Sequence, residues 1–309
     1  MDPLAEGRGV LTRWQALEHV PEGVLRGLVR AGDLVLVRHG VLVDGPTHRA
    51  ADPAARAVLE VRAEQAVRRR DEVATGLTAA AVHGLPFLGR PPARARLSLP
   101  REVGERPRED RPRTWLPDDQ VTVVDGASVT TVARTVVDVA RTRPFAFAVV
   151  TADAALARGC DPAELQEVLD RCRRFPGTRS AQRVLAFADA RSESPLESLG
   201  RARFDEEDLP APDLQVQLGT PYREIRVDHL FRDQRTVGEA DGLGKYDDIA
   251  VLRAEKQRED ALRERGFEVV RYVWDDALRR PTLMAARFRT AFLRARTARG
   301  AHHPAGTVR

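Results

Sequence analysis

Asp228, Glu239 and Asp241 are spaced so that their side chains can meet. Asp228 interrupts the apolar run Ile225-Arg226-Val227-Asp228-His229-Leu230-Phe231, and Glu239 and Asp241 flank Ala240 in Thr236-Val237-Gly238-Glu239-Ala240-Asp241. If both runs are strands, the two-residue period puts Glu239 and Asp241 on one face and Ala240 on the other, so that three carboxylates converge. Like charges held together raise one another's affinity for protons, and the set needs protons or a cation among them. Mg²⁺, or Mn²⁺ in its place, is the expected cation, because it takes oxygen ligands and keeps several waters. Such an ion lowers the pKa of a bound water and offsets charge on phosphate oxygens, which is what phosphodiester hydrolysis requires.

Lysine gives a second signal. Of the 50 lysines and arginines only Lys245 and Lys256 are lysine, and both follow the acidic residues. An ammonium group beside carboxylates can orient an attacking water or stabilise the charge of a transition state. Lys245 is preferred, since the loop after the strand stays near the cluster; Lys256 acts only if its helix faces the site and is otherwise solvated surface. Glu197, in Ser194-Pro195-Leu196-Glu197, has two readings of equal weight. It binds the metal, directly or through water, or it is the third helical residue of a capping box opened by Ser194 and Pro195.

The elements that must hold these residues follow from periodicity. A helix over 194–207 precedes strands at 214–218, 225–231 and 236–241, with the polar turn Arg232 to Arg235 between the last two. A charged helix over 248–265 leads to a fourth strand at 267–273 and an arginine-rich helix over 281–299. The order is α-β-β-β-α-β-α. Ahead of it, Thr12 caps a helix through Trp14 and Leu17, and Pro21 opens a second helix with Val24, Leu25, Leu28 and Val29 on one face. The runs 34–37 and 41–43 around Arg38-His39-Gly40 then form a hairpin. Two helices and a hairpin are the order of a winged helix, which would set Arg26 and Arg30 in a major groove and Arg38 and His39 against the backbone; a small unit that binds nothing has the same order.

Between these ends a helix over 53–70, ending in Arg68-Arg69-Arg70, precedes a short one at Ala79 to Val82, where His83 is a structural histidine. Strands are expected at 95–99, 121–124 and 128–132, around a charged, proline-rich loop over 101–118. Helices follow at 133–141, 145–158, 162–173 and 178–190. The expected fold class is thus α/β (α+β): a winged-helix module over 1–50, a mixed and then helical connector over 51–190, a mixed sheet flanked by helices over 191–299, and a disordered tail over 300–309.

At 309 residues the chain is long enough for two or three domains with their own cores. Cys160 and Cys172 match neither a zinc-ligand spacing nor a disulfide framework, so they read as packing residues of a reducing cytoplasm. No apolar run reaches the roughly 20 residues that span a bilayer, and the acidic, glycine-rich start is unlike an export signal, so no membrane partner is expected. A pI near 9.5 suits a polyanionic partner, although a net charge of +4 alone would not identify one.

The C-terminal pattern of Glu197, Asp228, Glu239, Lys245-Tyr246 and Val269-Val270-Arg271-Tyr272 resembles the Vsr-like branch of the PD-(D/E)XK nuclease superfamily, and most of all its actinobacterial domain-of-unknown-function group, over roughly residues 191–280. The resemblance implies a restriction-endonuclease-like fold in which Asp228 and Glu239 bind the metal. Asp241 stands where that superfamily places its lysine, which leaves the ammonium role to Lys245 or Lys256. The N-terminal half resembles the antitoxin module of AbiEi-type systems through Leu11-Thr12-Arg13 to Gly40-Val41, Ala79 to Leu85 and Ala133-Arg134-Thr135-Val136-Val137-Asp138. That resemblance implies DNA binding, regulation of the module's own promoter and a toxin partner; a homodimer is a further expectation. Two functions follow: a metal-dependent endonuclease directed to DNA, or a non-catalytic DNA-binding regulator that keeps a nuclease fold as scaffold.

Overall fold

A computed structural model describes residues 9–67, 72–90, 94–101, 113–219, 224–242 and 249–301. The chain divides into two units, one of residues 1–143 with 159–186 and one of residues 144–158 with 187–309.

The first unit begins with β1 (Val10–Thr12), α1 (Arg13–His19), α2 (Glu22–Ala31), β2 (Leu34–Arg38) and β3 (Val41–Asp44). Thr12 caps α1 by accepting from the Gln15 N–H while Gln15 bonds back to Thr12, and Gly32 ends α2 at φ +81°, where a side chain would be strained. The strands pair antiparallel in the order β1-β3-β2. β3 is buried on both faces: Leu42 packs with Leu11, Ala16, Leu25 and Leu34, whereas Val41 and Val43 pack with Val10, Leu59 and Ala63. The sequence pattern anticipates the helices and the hairpin but not β1, whose three residues carry too little periodicity to be read.

Helices α3 (Gly45–Ala50) and α4 (Pro53–Val67) lead to β4 (Val73–Ala74), α5 (Gly76–Val82), β5 (Leu97–Arg101), β6 (Arg113–Trp115), β7 (Val121–Val124), β8 (Ala127–Thr130) and α6 (Val132–Thr142). The five strands form a mixed sheet in the order β6-β5-β4-β8-β7 over a core that includes Val58, Val61, Val82, Leu97 and Val129. β6 corrects the expectation of an unstructured loop over 101–118, since it pairs parallel with β5; residues 102–112 lie outside the described residues, as do Arg68, Arg69 and Arg70. His83 is structural, with Nε2 at 2.7 Å from the Thr130 carbonyl. Arg134 is fully buried and gives hydrogen bonds to Asp138 (2.9 Å), Gln120 (2.6 Å) and the Trp115 carbonyl (3.1 Å), while Arg141 reaches the other oxygen of Asp138 at 2.6 Å.

The next helix, α7 (Phe145–Ala157), belongs to the second unit, and α8 (Pro162–Arg171) and α9 (Thr178–Phe187) return the chain to the first, whose boundary falls at Ala186. Cys160 and Cys172 are free thiols.

The second unit continues with α10 (Pro195–Glu206), β9 (Asp213–Gly219), β10 (Glu224–Phe231), β11 (Thr236–Ala240), α11 (Ile249–Glu264), β12 (Glu268–Tyr272), α12 (Trp274–Arg279) and α13 (Pro281–Ala301). This is the expected order with α12 added; the tail from residue 302 lies outside the described residues. The sheet runs β12-β11-β10-β9, antiparallel except that β11 and β12, joined through α11, are parallel. One face packs Leu218, Ile225, Val227 and Val237 with Ala261 and Leu262 of α11. An aromatic cluster of Phe204, His229, Phe231, Tyr272 and Phe288 joins the sheet to α10 and α13. Gly200 permits this approach, since a Cβ there would lie 2.1 Å from Tyr272 Oη. On α7 the fully buried Asp153 accepts two hydrogen bonds from Arg201 of α10, at 2.9 and 2.8 Å. The molecule is therefore α+β, with three mixed or antiparallel sheets among the described residues.

Candidate active site

Ser194 caps α10 by accepting from the Glu197 N–H at 3.2 Å. The Glu197 carboxylate does not close the reciprocal box on Ser194; it accepts instead from the Glu193 N–H at 2.9 Å and from Gln215 Nε2 at 2.8 Å, and the residue is 7% exposed. The helix start thus aims a carboxylate at the sheet. Asp228 accepts from the Ala240 N–H at 2.9 Å and from Gln215 Nε2 at 3.4 Å, which spans β9, β10 and β11. Glu239 accepts from Arg258 Nη2 at 2.9 and 3.2 Å, and the same guanidinium also donates to the Arg226 carbonyl. Asp241 follows β11 directly, 3.8 Å from Arg271, which is 3.2 Å from Glu255.

Glu197, Asp228, Glu239 and Asp241 line one open pocket of about 410 Å³, together with Glu193, Glu255 and the arginines Arg226, Arg258 and Arg271. Burial is the main cause of a raised proton affinity at Glu197, Asp228 and Glu239. Glu239 is pushed up to about 7, since desolvation and the charge of Asp228 outweigh the opposing Arg258. All the donors that an Mg²⁺ or Mn²⁺ ion would use here are oxygens, which suits either ion. Among the described residues no group of three or more His, Cys, Asp or Glu side chains stands ready to hold an ion. Glu239 is turned to Arg258, while Glu197 and Asp228 share the amide of Gln215.

Of the two lysines, only Lys256 falls among the described residues. Lys256 is exposed on α11 and does not line this pocket, because residues two apart on a helix face nearly opposite ways and Arg258 takes the inward position. Lys245 lies outside the described residues. Arg258 and Gln215 went unread in the sequence: the first is one arginine among many, and the second is an ordinary polar residue in an alternating strand.

In the first unit, Arg26 is largely exposed beside Glu22, at 3.5 Å, and Arg30 is exposed; with Arg13 they border an apolar hollow containing Val29 and Leu36. Arg38 is already engaged, with Nη1 2.5 Å from Glu64, in a pocket that His39 also lines. Arg38 thus already has an ion-pair partner within its own unit.

Residues 72–186 match the family model described as the AbiEi antitoxin C-terminal domain. Two uncharacterized proteins of Mycobacterium tuberculosis, from strains CDC 1551 and H37Rv, are each 34% identical to this chain over 177 residues, a stretch that covers 57% of this chain and 65% of theirs. The chain thus matches slightly less than two thirds of the length of these relatives. No solved structure matches it. No described helix is long and apolar enough to cross a membrane.

Proposed function

We propose that the protein binds DNA in the manner of an AbiEi-type antitoxin and that its second unit carries a divalent-cation site for phosphodiester hydrolysis. The DNA-binding half of this reading rests on the family match over residues 72–186, to which the β1-α1-α2-β2-β3 unit with exposed Arg26 and Arg30 adds a candidate winged helix. A toxin partner and self-association belong to the same reading.

The hydrolytic half rests on one observation: three elements bring Glu197, Asp228 and Glu239 into one pocket in which every one of them holds its proton more tightly than in water. Buried like charges of this kind are costly unless protons or a bound cation neutralise them, and such groups cluster at functional sites. Glu197, Asp228 and Glu239 are the residues that would hold Mg²⁺ or Mn²⁺. Such an ion supplies a water of lowered pKa and positive charge against the phosphate. Arg258, which holds Glu239, is the group that would take the part expected of a lysine and offset charge on a phosphate oxygen, while Arg226 and Arg271 line the same pocket in ion pairs of their own.

A second reading is a non-catalytic regulator, and a specific observation favours it. Asp241 occupies the position where a lysine is expected, and the one guanidinium beside Glu239 is committed to it. The two readings separate in a cleavage assay with purified full-length protein on single- and double-stranded DNA. The hydrolytic reading expects Mg²⁺- or Mn²⁺-dependent nicking that Asp228→Ala and Glu239→Ala abolish while DNA binding persists. Equal trace cleavage by wild type and both variants leaves the regulator. Binding is tested by the salt dependence of affinity, whose slope Arg26→Ala with Arg30→Ala should flatten by roughly one to two ion equivalents.

A further inference from the structure

The strand β9 contains a residue whose backbone does not suit a strand. Gln215 has φ +53°, and the other non-glycine residues with positive φ, Asp125, Asp208 and Arg235, all sit in turns. A left-handed backbone is strained at a residue that carries a Cβ. The strain does not correct a register shift. Val216 pairs with Val227 and Leu214 with His229, so the register is the same on either side, and Gln215 and Asp228 are the one position between them at which the ladder is not paired. What the distortion does is aim the side chain. Nε2 lies between two carboxylates from different elements, Glu197 of α10 at 2.8 Å and Asp228 of β10 at 3.4 Å, while the amide oxygen is buried with no hydrogen-bond partner. A buried acceptor without a donor is destabilising, since it has given up its water and gained nothing in return. Gln215 therefore carries both a strained backbone and an unsatisfied oxygen at the one place where Glu197 and Asp228 meet.

We propose that Gln215 is a ligand-bearing member of the cation site. In the cation-free protein its NH₂ group stands between Glu197 and Asp228, where it offsets their repulsion with two donated hydrogen bonds. When a divalent cation takes that place, the NH₂ group is no longer needed there and the amide oxygen becomes a neutral ligand to the ion or to one of its waters. An amide suits this double duty. It donates to carboxylates in one state and offers oxygen to a cation in the other, without adding a further negative charge to a pocket already short of positive ones. This inference rests on the cation-site reading proposed above.

The experiment measures Mn²⁺ affinity of the full-length protein by calorimetry, checked by Mn²⁺ spin resonance, beside thermal melting without cation. Gln215→Met removes both amide functions at similar volume and is expected to weaken Mn²⁺ binding by ~10-fold or more. Gln215→Glu keeps an oxygen and should restore affinity to about the wild-type level or tighter, while melting at a lower temperature when no cation is present, because a further carboxylate then meets Glu197 and Asp228. Should Gln215→Met fail to fold, Gln215→Gly serves, since glycine accepts the backbone angle without strain, which counters the loss of the two donated hydrogen bonds; it too should lose Mn²⁺ affinity. A purely structural Gln215 predicts the reverse, a lower melting temperature with unchanged affinity and no rescue by glutamate, and that result overturns the inference alone. Wild type that binds no Mn²⁺ overturns the cation-site reading and this inference with it.

Discussion

Asp138 in the first unit, buried, and Glu239 in the second, half-buried, are both carboxylates held by arginine, yet their surroundings differ in sign. Asp138 sits between Arg134 and Arg141, two guanidiniums for one carboxylate, and Arg134 has further acceptors in Gln120 and the Trp115 carbonyl. Glu239 shares the single Arg258 with a backbone carbonyl, while Glu197 and Asp228 nearby have only a neutral amide between them. The first arrangement is complete without any ligand. The second has fewer arginines than acidic groups, and its carboxylates hold protons tightly, chiefly because they are desolvated. Within the segment that matches the antitoxin family, the Arg134 to Asp138 motif is thus a fastening of the fold, whereas the pocket of the second unit is the one whose acidic groups outnumber its arginines.

The contrast can be broken most sharply at Arg134. Arg134→Ala leaves Asp138 with Arg141 alone, takes the donor from Gln120 Oε1 and the Trp115 carbonyl and empties a fully buried site, and is expected to cost about 3–5 kcal/mol in urea unfolding; a loss under about 1 kcal/mol would erase the distinction between the two sites. A smaller effect is expected in the pocket, with pH as the variable. Native Glu239 binds its proton more tightly than the unfolded chain does, so the cation-free protein should lose stability as pH rises from about 4.5 to about 7 and lose no more above that. The loss due to this group is on the order of 1–3 kcal/mol, and Glu239→Gln should remove it, leaving the variant more stable than wild type at pH 8. Identical pH profiles for wild type and Glu239→Gln would show that the pocket is as well compensated as Asp138. The smallest effect separates neighbours on α11. Lys256→Ala should change stability by less than about 0.5 kcal/mol and leave any cleavage intact, whereas Arg258→Ala should move the Glu239 titration to still higher pH. Loss of cleavage in Lys256→Ala would return the ammonium role to lysine.

These residues also mark how far the sequence could be read. Alternation made β9, β10 and β11 legible, and Ser194-Pro195 with Glu197 announced the start of α10. The carboxylates could be found because a charge inside an apolar strand is conspicuous. Arg258 could not, because arginine is this chain's ordinary cation, and the rarity of lysine drew attention to Lys256 on another face of the same helix. The pair Asp153 and Arg201 was hidden by distance, since 48 residues separate two positions that meet only after α7 joins the second unit. Gln215 was hidden by conformation: a polar residue in an alternating strand carries no sign that its backbone turns left-handed.

The contact between Gly200 and Tyr272 has one more consequence. With only 2.1 Å between the place of a Cβ and the phenol oxygen, position 200 works as a spacer of zero thickness, and any side chain there must lift α10 from β12. Glu197 lies one turn earlier on the same helix, so the lift would carry its carboxylate out of reach of Gln215. Position 200 is accordingly a diagnostic for relatives of this protein: a chain that keeps all the acidic residues but has a bulky residue there would own the parts of the pocket without its assembly.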